Sequence, residues 1–448
     1  MLTKAELTKT RKELLGDGLG DNTGLSWAAT AGPLAGRQPC EIPRADRETL
    51  RDLAKTVADI AERPEQHEKF KLWKAHNALV MTRPLIFCDP ESAWHEIFPA
   101  SALRCGSPLG RIWEFKLRKE IYWGNVIKDD RPILPEFRIQ TVFCHTGRGL
   151  EATVHSDAMG TAYCWDSPLI DTAMLKDIEP RRIVLDLEKT RLLLDMAQDV
   201  FGDTLAVFEE GAFWWSFGLT GDVIMLRGFE QMMLDMYDHP DFLHGLMAFL
   251  LEEAEGTLTD LEDRGALTPN AGVDFLGTGG YGYTDELPLR GKGVKLKDLW
   301  GFSESQESVG ISRECFQEFI FPYQLKILER FGLNCYGCCE PLERWWDAVR
   351  RIPRLRKVTV SPWSDPLTMA ERIGRDYVYV RKVNPAHMAL PFINEEAARK
   401  QLRDTFSAAH AHDCRVEVLL RDVVTLGGNI ENAARWTKLA YEESARFF

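Results

Sequence analysis

Apolar residues recur at three- and four-residue spacing from Arg47 to Arg63 and again from Pro64 to Leu79, the period of helices with one buried face. Residues 1–80 therefore read as an N-terminal helical extension. Between Pro84 and His155 the pattern changes to short β-rich runs, Leu85 to Phe87, Phe137 to Cys144 and Ala152 to Val154, separated by Gly, Pro and Asp. These predict hairpins or β-rich insertions. After Ile183 apolar runs of strand length alternate with helical stretches. The helix Glu188 to Phe201 precedes the run Leu205 to Phe208, and helices from Phe229 to Tyr237 and Pro240 to Arg264 precede Gly272 to Leu276. Leu299 to Ser305, the helix Arg313 to Phe331 and Leu333 to Cys338 follow. The helix Leu342 to Arg350, Val358 to Val360, the helix Pro366 to Ile373 and Tyr377 to Val380 come next. The helix Glu395 to His412, Arg415 to Leu420 and the helix Asn432 to Arg446 end the series.

Strands alternating with helices at this interval mean βα units and a parallel sheet. No G-x-G-x-x-G follows an early strand, and Gly277 to Gly282 precedes no evident helix, so a dinucleotide-binding open sheet is disfavoured. The predicted fold is a TIM (β/α)8 barrel over residues 81–448, closed by eight parallel strands, with the segment before about residue 80 packed outside it.

Composition narrows the partners. The 55 basic and 68 acidic side chains leave a formal charge of −13, and no Lys/Arg run could track a phosphate backbone, so nucleic acid is excluded as a partner. No apolar stretch reaches signal-peptide form or the ~20 residues of a membrane span, which places the expected protein in the cytoplasm. Ten cysteines scattered over 448 residues read, in a reducing compartment, as free thiols or metal ligands.

The exception is the cluster in Asn334-Cys-Tyr-Gly-Cys-Cys-Glu-Pro341, at the end of a predicted strand, which in a barrel is the catalytic face. Alternation along a strand would put Tyr336, Cys338 and Glu340 on one face and Cys335 and Cys339 on the other. Cys335 reads as packing, whereas Cys338 with a carboxylate at a strand end reads as a zinc or nucleophile position. Glu304 and Glu307 end another predicted strand, where they would serve as general base or as ligands; a solvated loop is the plain alternative. Lys382 and Asn384 end a third strand and would bind an anionic substrate group, with His387 just beyond. Trp214-Trp215 and Trp345-Trp346 are either core or the lining of an aromatic pocket.

The run Phe331 to Glu340, preceded by Ser312 to Pro322, resembles the central part of the uroporphyrinogen decarboxylase and corrinoid methyltransferase superfamily. Leu226 to Glu230, Asp235 to Pro240, Val358 to Trp363, Lys382 to Pro385 and Val418 to Asp422 agree with it in order. The resemblance covers the C-terminal half to two-thirds of the chain. It implies a TIM barrel and one of two chemistries: cofactor-free decarboxylation of a porphyrinogen, or methyl transfer between a zinc-activated thiol and a cobalamin protein. The decarboxylases' R-Q-A-G-R motif is missing here, which disfavours porphyrinogen decarboxylation.

The zinc methyltransferases carry His-x-Cys where this chain has Tyr336-Gly337-Cys338, and a second Cys at the end of the final strand. Cys414 lies 76 residues after Cys338. It begins the strand Arg415 to Leu420, however, roughly 20 Å from that strand's end at ~3.3 Å per residue, where Asp422 stands instead. The expected function is thus methyl transfer between a small methylated substrate or thiol and a separate corrinoid protein, assisted by Zn²⁺ held by Cys338 and Glu340. Glu304, Glu307, Tyr336 and Asp422 would be catalytic. The alternative is a metal-free decarboxylase or lyase for a small carboxylated substrate, with Lys382, Arg381 and Arg421 holding the anion and Asp422 moving the proton. The sequence also admits a homodimer.

Overall fold

The computed structural model describes residues 41–156, 163–211, 216–272 and 276–448. Within them β1 (Leu85–Cys88), β8 (Trp300–Ser303), β9 (Leu333–Tyr336), β10 (Leu355–Val360), β11 (Val378–Lys382) and β12 (Arg415–Leu420) form one parallel sheet in the order β1-β12-β11-β10-β9-β8. Between β1 and β8 in the chain, β2 (Glu136–Gln140) pairs in parallel with β7 (Ala206–Glu210). β3 (Phe143–His145) pairs antiparallel with β6 (Ile183–Leu185), and β4 (Thr153–Ser156) antiparallel with β5 (Tyr163–Asp166). The described residues thus form an α/β fold with a six-stranded parallel sheet and a separate parallel pair, and among them the strands do not close into a single ladder of eight.

The physical reason is visible at both edges of the sheet, where other groups take the ladder's hydrogen bonds. On β1, the amides of Ile86 and Cys88 donate to the carboxylates of Asp130 (2.7 Å) and Asp129 (2.8 Å), and Ile86 O accepts from Asp130 N at 2.8 Å. On β8, the Asn270 side chain both accepts from Trp300 N (2.9 Å) and donates to Trp300 O (2.8 Å), while Phe302 O accepts from Phe217 N at 3.1 Å. The strand expected over Gly272 to Leu276 falls largely on 273–275, outside the described residues.

Strand alternation gives the sheet two apolar faces. Ile86, Cys88, Tyr336, Val358, Val360, Tyr379, Val416, Val418 and Leu420 join the large core formed with the helices. The opposite face buries Leu85, Phe87, Val378, Val380 and Leu419 against Trp73, Tyr281 and Tyr283, and Trp300, Phe302, Leu333 and Cys335 against Leu276 and Leu287.

Of the two N-terminal helices among the described residues, α1 (Arg44–Ala61) lays Leu50, Ala54, Val57 and Ile60 into the helix-side core, as an outer element should. Helix α2 (Pro64–Asn77) does not lie outside, and here the expectation is corrected. Its Trp73 is fully buried on the second face and donates to Asp130 O at 2.8 Å; Asn77 Nδ2 donates to Tyr281 O and Tyr283 O. Lys357 and Glu417 pair there at 2.9 Å, with His76 Nε2 3.4 Å from Glu417 Oε2. These groups sit near the amino ends of β10 and β12. Helix α2 therefore stops that end of the second face and leaves the carboxyl ends of the strands for the site.

The helix expected from Arg313 to Phe331 is broken by a π turn at Phe316–Ile320 before α3 (Phe321–Leu328). Pro322 supplies the cause, since it has no N–H and its ring clashes with the preceding turn. No helix among the described residues is long and apolar enough to cross a membrane.

Candidate active site

Three strand ends bring four polar side chains together. Lys382 is the last residue of β11, Asp422 lies two residues past β12, and Cys338 and Cys339 follow β9. The turn after β9 depends on Gly337, whose φ of 102° lies in the region glycine tolerates and other residues rarely adopt. Gly337 N donates to Ser303 O at 3.0 Å, and its carbonyl accepts from Thr278 Oγ1 at 2.7 Å. Alternation ends at this turn, so both thiols face Lys382. The Sγ atoms are 3.6 Å apart, Lys382 Nζ is 3.5 Å from Cys338 Sγ and 3.2 Å from Cys339 Sγ, and it pairs with Asp422 Oδ2 at 2.5 Å.

Asp422 is held in an uncommon backbone conformation, φ 59°, of the kind that persists only when neighbours impose it. Its amide donates to Glu91 Oε2 at 2.9 Å, while Glu91 Oε1 accepts from Arg421 Nε at 2.8 Å. Burial acts to discharge the Lys382 ammonium, but its interactions with the Cys338–Cys339 pair and with Asp422 prevail and raise its pKa. Burial likewise opposes the Asp422 carboxylate, and Lys382 nonetheless holds it below the ordinary range. The thiols split: the hydrogen bond from Cys338, helped by Lys382, brings Cys339 down to about 7, and the same bond with burial pushes Cys338 up. Of the two, Cys339 is therefore the more acidic thiol and is partly ionised at neutral pH.

A second group adjoins the first through Glu340, whose two oxygens accept from Cys338 N (3.0 Å) and Ser305 N (2.9 Å). Burial raises the Glu340 carboxyl to about 8. Glu304 is also fully buried, and burial together with Glu307 and Glu340 pushes it well up; it accepts from Ser216 Oγ and Gln306 N. Glu307 accepts from Thr220 Oγ1 at 2.8 Å.

Tyr336 does not project with Cys338. It lies on the helix-packed face, where its hydroxyl donates to Gln324 Oε1 at 2.8 Å and meets Ser305 Oγ at 3.0 Å. Cys335 takes the opposite face, packed with Trp300, Phe302 and Leu333. Cys335 thus packs opposite Tyr336 as alternation predicts, while the expected grouping of Cys338 with Tyr336 and its separation from Cys339 are corrected.

The remaining candidates are not drawn into this cluster. The Asn384 side chain caps the short turn Pro385–Met388 by accepting from Ala386 N, and His387 lies within that turn, partly buried. Cys414 is buried, its Sγ 3.4 Å from Ala370 O. Trp345 stacks on Phe316 with centroids 4.3 Å apart and Trp346 meets Tyr377 edge-on, both in the core; Trp214 and Trp215 lie outside the described residues. Sequence reasoning missed Cys339 and Glu91. The glycine immediately before the cysteine pair was the available signal for Cys339; nothing marked Glu91.

The donors do not fit the expected zinc site as they stand. Both Glu340 oxygens are engaged by backbone amides, Tyr336 points away, and the space between the thiols and Asp422 holds the Lys382 ammonium. Among the described residues no group of three or more His, Cys, Asp and Glu side chains could hold a metal ion.

The fold and site are those of an α/β protein with a lysine-bound thiol pair at the carboxyl ends of its parallel strands. No family model and no curated protein matches the chain. Among solved structures it is similar to a methyltransferase from Methanosarcina mazei, at 8% identity and a TM-score of 0.44, over 84% of this chain and 98% of that one.

Proposed function

We propose that the chain is a methyltransferase in which the Cys339 thiolate receives the methyl group, and that its two parallel strand sets are arcs of one (β/α)8 barrel. The barrel reading is supported by strand order: the first parallel strand hydrogen-bonds the last, β1 to β12, and the intervening neighbours follow the chain. The observation that carries the chemistry is the Cys338–Cys339 pair gathered on Lys382, whose ammonium 3.2 Å from Cys339 Sγ favours the thiolate form of a soft nucleophile.

In the proposed step Cys339 Sγ attacks the methyl carbon of a small methylated substrate or of the methyl–cobalt group of a corrinoid protein. The S–C bond forms, the bond from carbon to the leaving atom breaks, and its electron pair stays with that atom. Lys382 holds the thiolate, Asp422 orients Lys382, and Glu91 and Arg421 fix Asp422. The corrinoid protein as second substrate rests on the sequence resemblance. Carboxylate binding in a lyase is less favoured, because its three cations are engaged: Lys382 with Asp422, Arg421 with Glu91, and Arg381 with the carbonyls of Ser361 and Ser364. Methylcobalamin mixed with the protein tests the reading: demethylation followed by absorbance should require Cys339, and equal rates with wild type and Cys339→Ser would contradict it.

A further inference from the structure

The Lys382 ammonium lies where a metal ion would have to lie if the strand-end donors held one. Two thiolates bound to one tetrahedral ion at about 2.3 Å each are about 3.8 Å apart; Cys338 and Cys339 Sγ are 3.6 Å apart. Asp422 Oδ2 is 3.9 Å from Cys339 Sγ, again close to the spacing of two ligands on one centre. With Lys382 Nζ among them, 3.5, 3.2 and 2.5 Å from Cys338 Sγ, Cys339 Sγ and Asp422 Oδ2, the three donors form no metal-binding group. Lys382 did not arrive there by drift of a surface side chain. It is 3% exposed, and the register of β11 on β12, Lys382 opposite Leu419, fixes where its stem begins.

We propose that Lys382 is a built-in substitute for the metal: it gathers the thiols and the carboxylate, balances the thiolate's charge and excludes zinc from the site. An ammonium has three N–H donors and no vacant coordination position, so it steadies an anion by charge and hydrogen bonds but cannot bind a substrate oxygen directly. This inference deepens the reading of the cluster as the reacting site. Its test needs no methyl donor, so the two can fail separately.

Full-length wild type, Lys382→Ala and Lys382→Ala/Cys339→Ser proteins are each incubated with one equivalent of zinc sulfate, gel-filtered and assayed for zinc by atomic emission. The expected result is no stoichiometric zinc on wild type, a gain to one zinc per chain on Lys382→Ala, and loss of that zinc on the double variant. Wild type that retains one zinc per chain overturns the proposal, as does a Lys382→Ala protein, folded by circular dichroism, that retains no more than wild type. If Lys382→Ala does not fold, alkylation of wild-type Cys339 by iodoacetamide decides. A rate unchanged by chelator or by excess zinc supports the proposal, and a several-fold slowing by zinc that chelator reverses overturns it.

Discussion

Replacing Lys357 with methionine removes the cation that neutralises a carboxylate buried on the second face of the sheet. Glu417 is fully buried, accepts from Lys357 Nζ at 2.9 Å and from Gly280 N at 3.0 Å, and lies 3.4 Å from His76 Nε2. Burial alone would raise the Glu417 carboxyl, yet Lys357, with His76 adding to it, lowers it from 4.5 to about 2. That difference is worth about 3 kcal/mol of folding stability at neutral pH. Its sign is that of a depressed acid: the contribution is present above about pH 4.5 and is lost as the pH falls toward about 2. Lys357→Met should therefore cost roughly 3–5 kcal/mol, the range for breaking a buried pair by removing one partner. Adding Glu417→Leu removes the stranded carboxylate and should restore most of the loss. Thermal melts at pH 7 measure both. On the scale of about 2–4 °C per kcal/mol the single variant should melt roughly 6–20 °C below wild type. A single variant within about 2 °C of wild type, or a double variant no better than the single, would refute this account of how α2 and the strands are joined.

Gly337→Ala forces a side chain into φ 102° with its Cβ 2.9 Å from Leu342 Cδ1 and 3.2 Å from Thr359 O, so it should cost about 1–3 kcal/mol and slow Cys339 alkylation; an unaffected rate would show that the turn does not place the thiols. Gly280→Ala would drive a Cβ into the Trp73 ring and should lower the melting temperature while leaving alkylation of the folded protein unchanged. Glu340, raised to about 8, stays neutral in the folded chain while it ionises in the unfolded one, so wild-type stability relative to Glu340→Gln should fall as pH rises from about 4.5 to 8. Chemical denaturation at pH 5 and pH 8 checks this, and a difference that is constant or of opposite sign would count against it.

Much of the fold could be read from residue pattern because it is local. The runs at Arg415 to Leu420 and Pro366 to Ile373 carry strand or helix period within themselves and form those elements. Position along β12 also separates Asp422, now beside Lys382 and Cys339, from Cys414 at the strand's other end. What was not legible depends on distant residues or on a single backbone angle. Helix α2 has the composition of an outer helix, and only the partners of Trp73 and His76, more than fifty residues away in the chain, make it a stopper. The side-chain alternation that separated Cys338 from Cys339 holds only while the strand lasts, and Gly337 ends it two residues earlier than the apolar run Leu333 to Cys338 suggests. Edge amides satisfied by Asp129, Asp130 and Asn270 left no local trace, since an Asp or Asn in a loop reads as a turn residue.

The most direct test of the account is where the methyl group goes. Wild type, Cys338→Ala and Cys339→Ala proteins are treated with isotopically labelled methylcobalamin, digested, and the peptide spanning Cys338 and Cys339 is sequenced by mass spectrometry. The account predicts label on Cys339 in wild type, label retained but slower in Cys338→Ala where the S–H donor is gone, and none in Cys339→Ala. Label on Cys338, or labelling of the peptide that survives in Cys339→Ala, would contradict it.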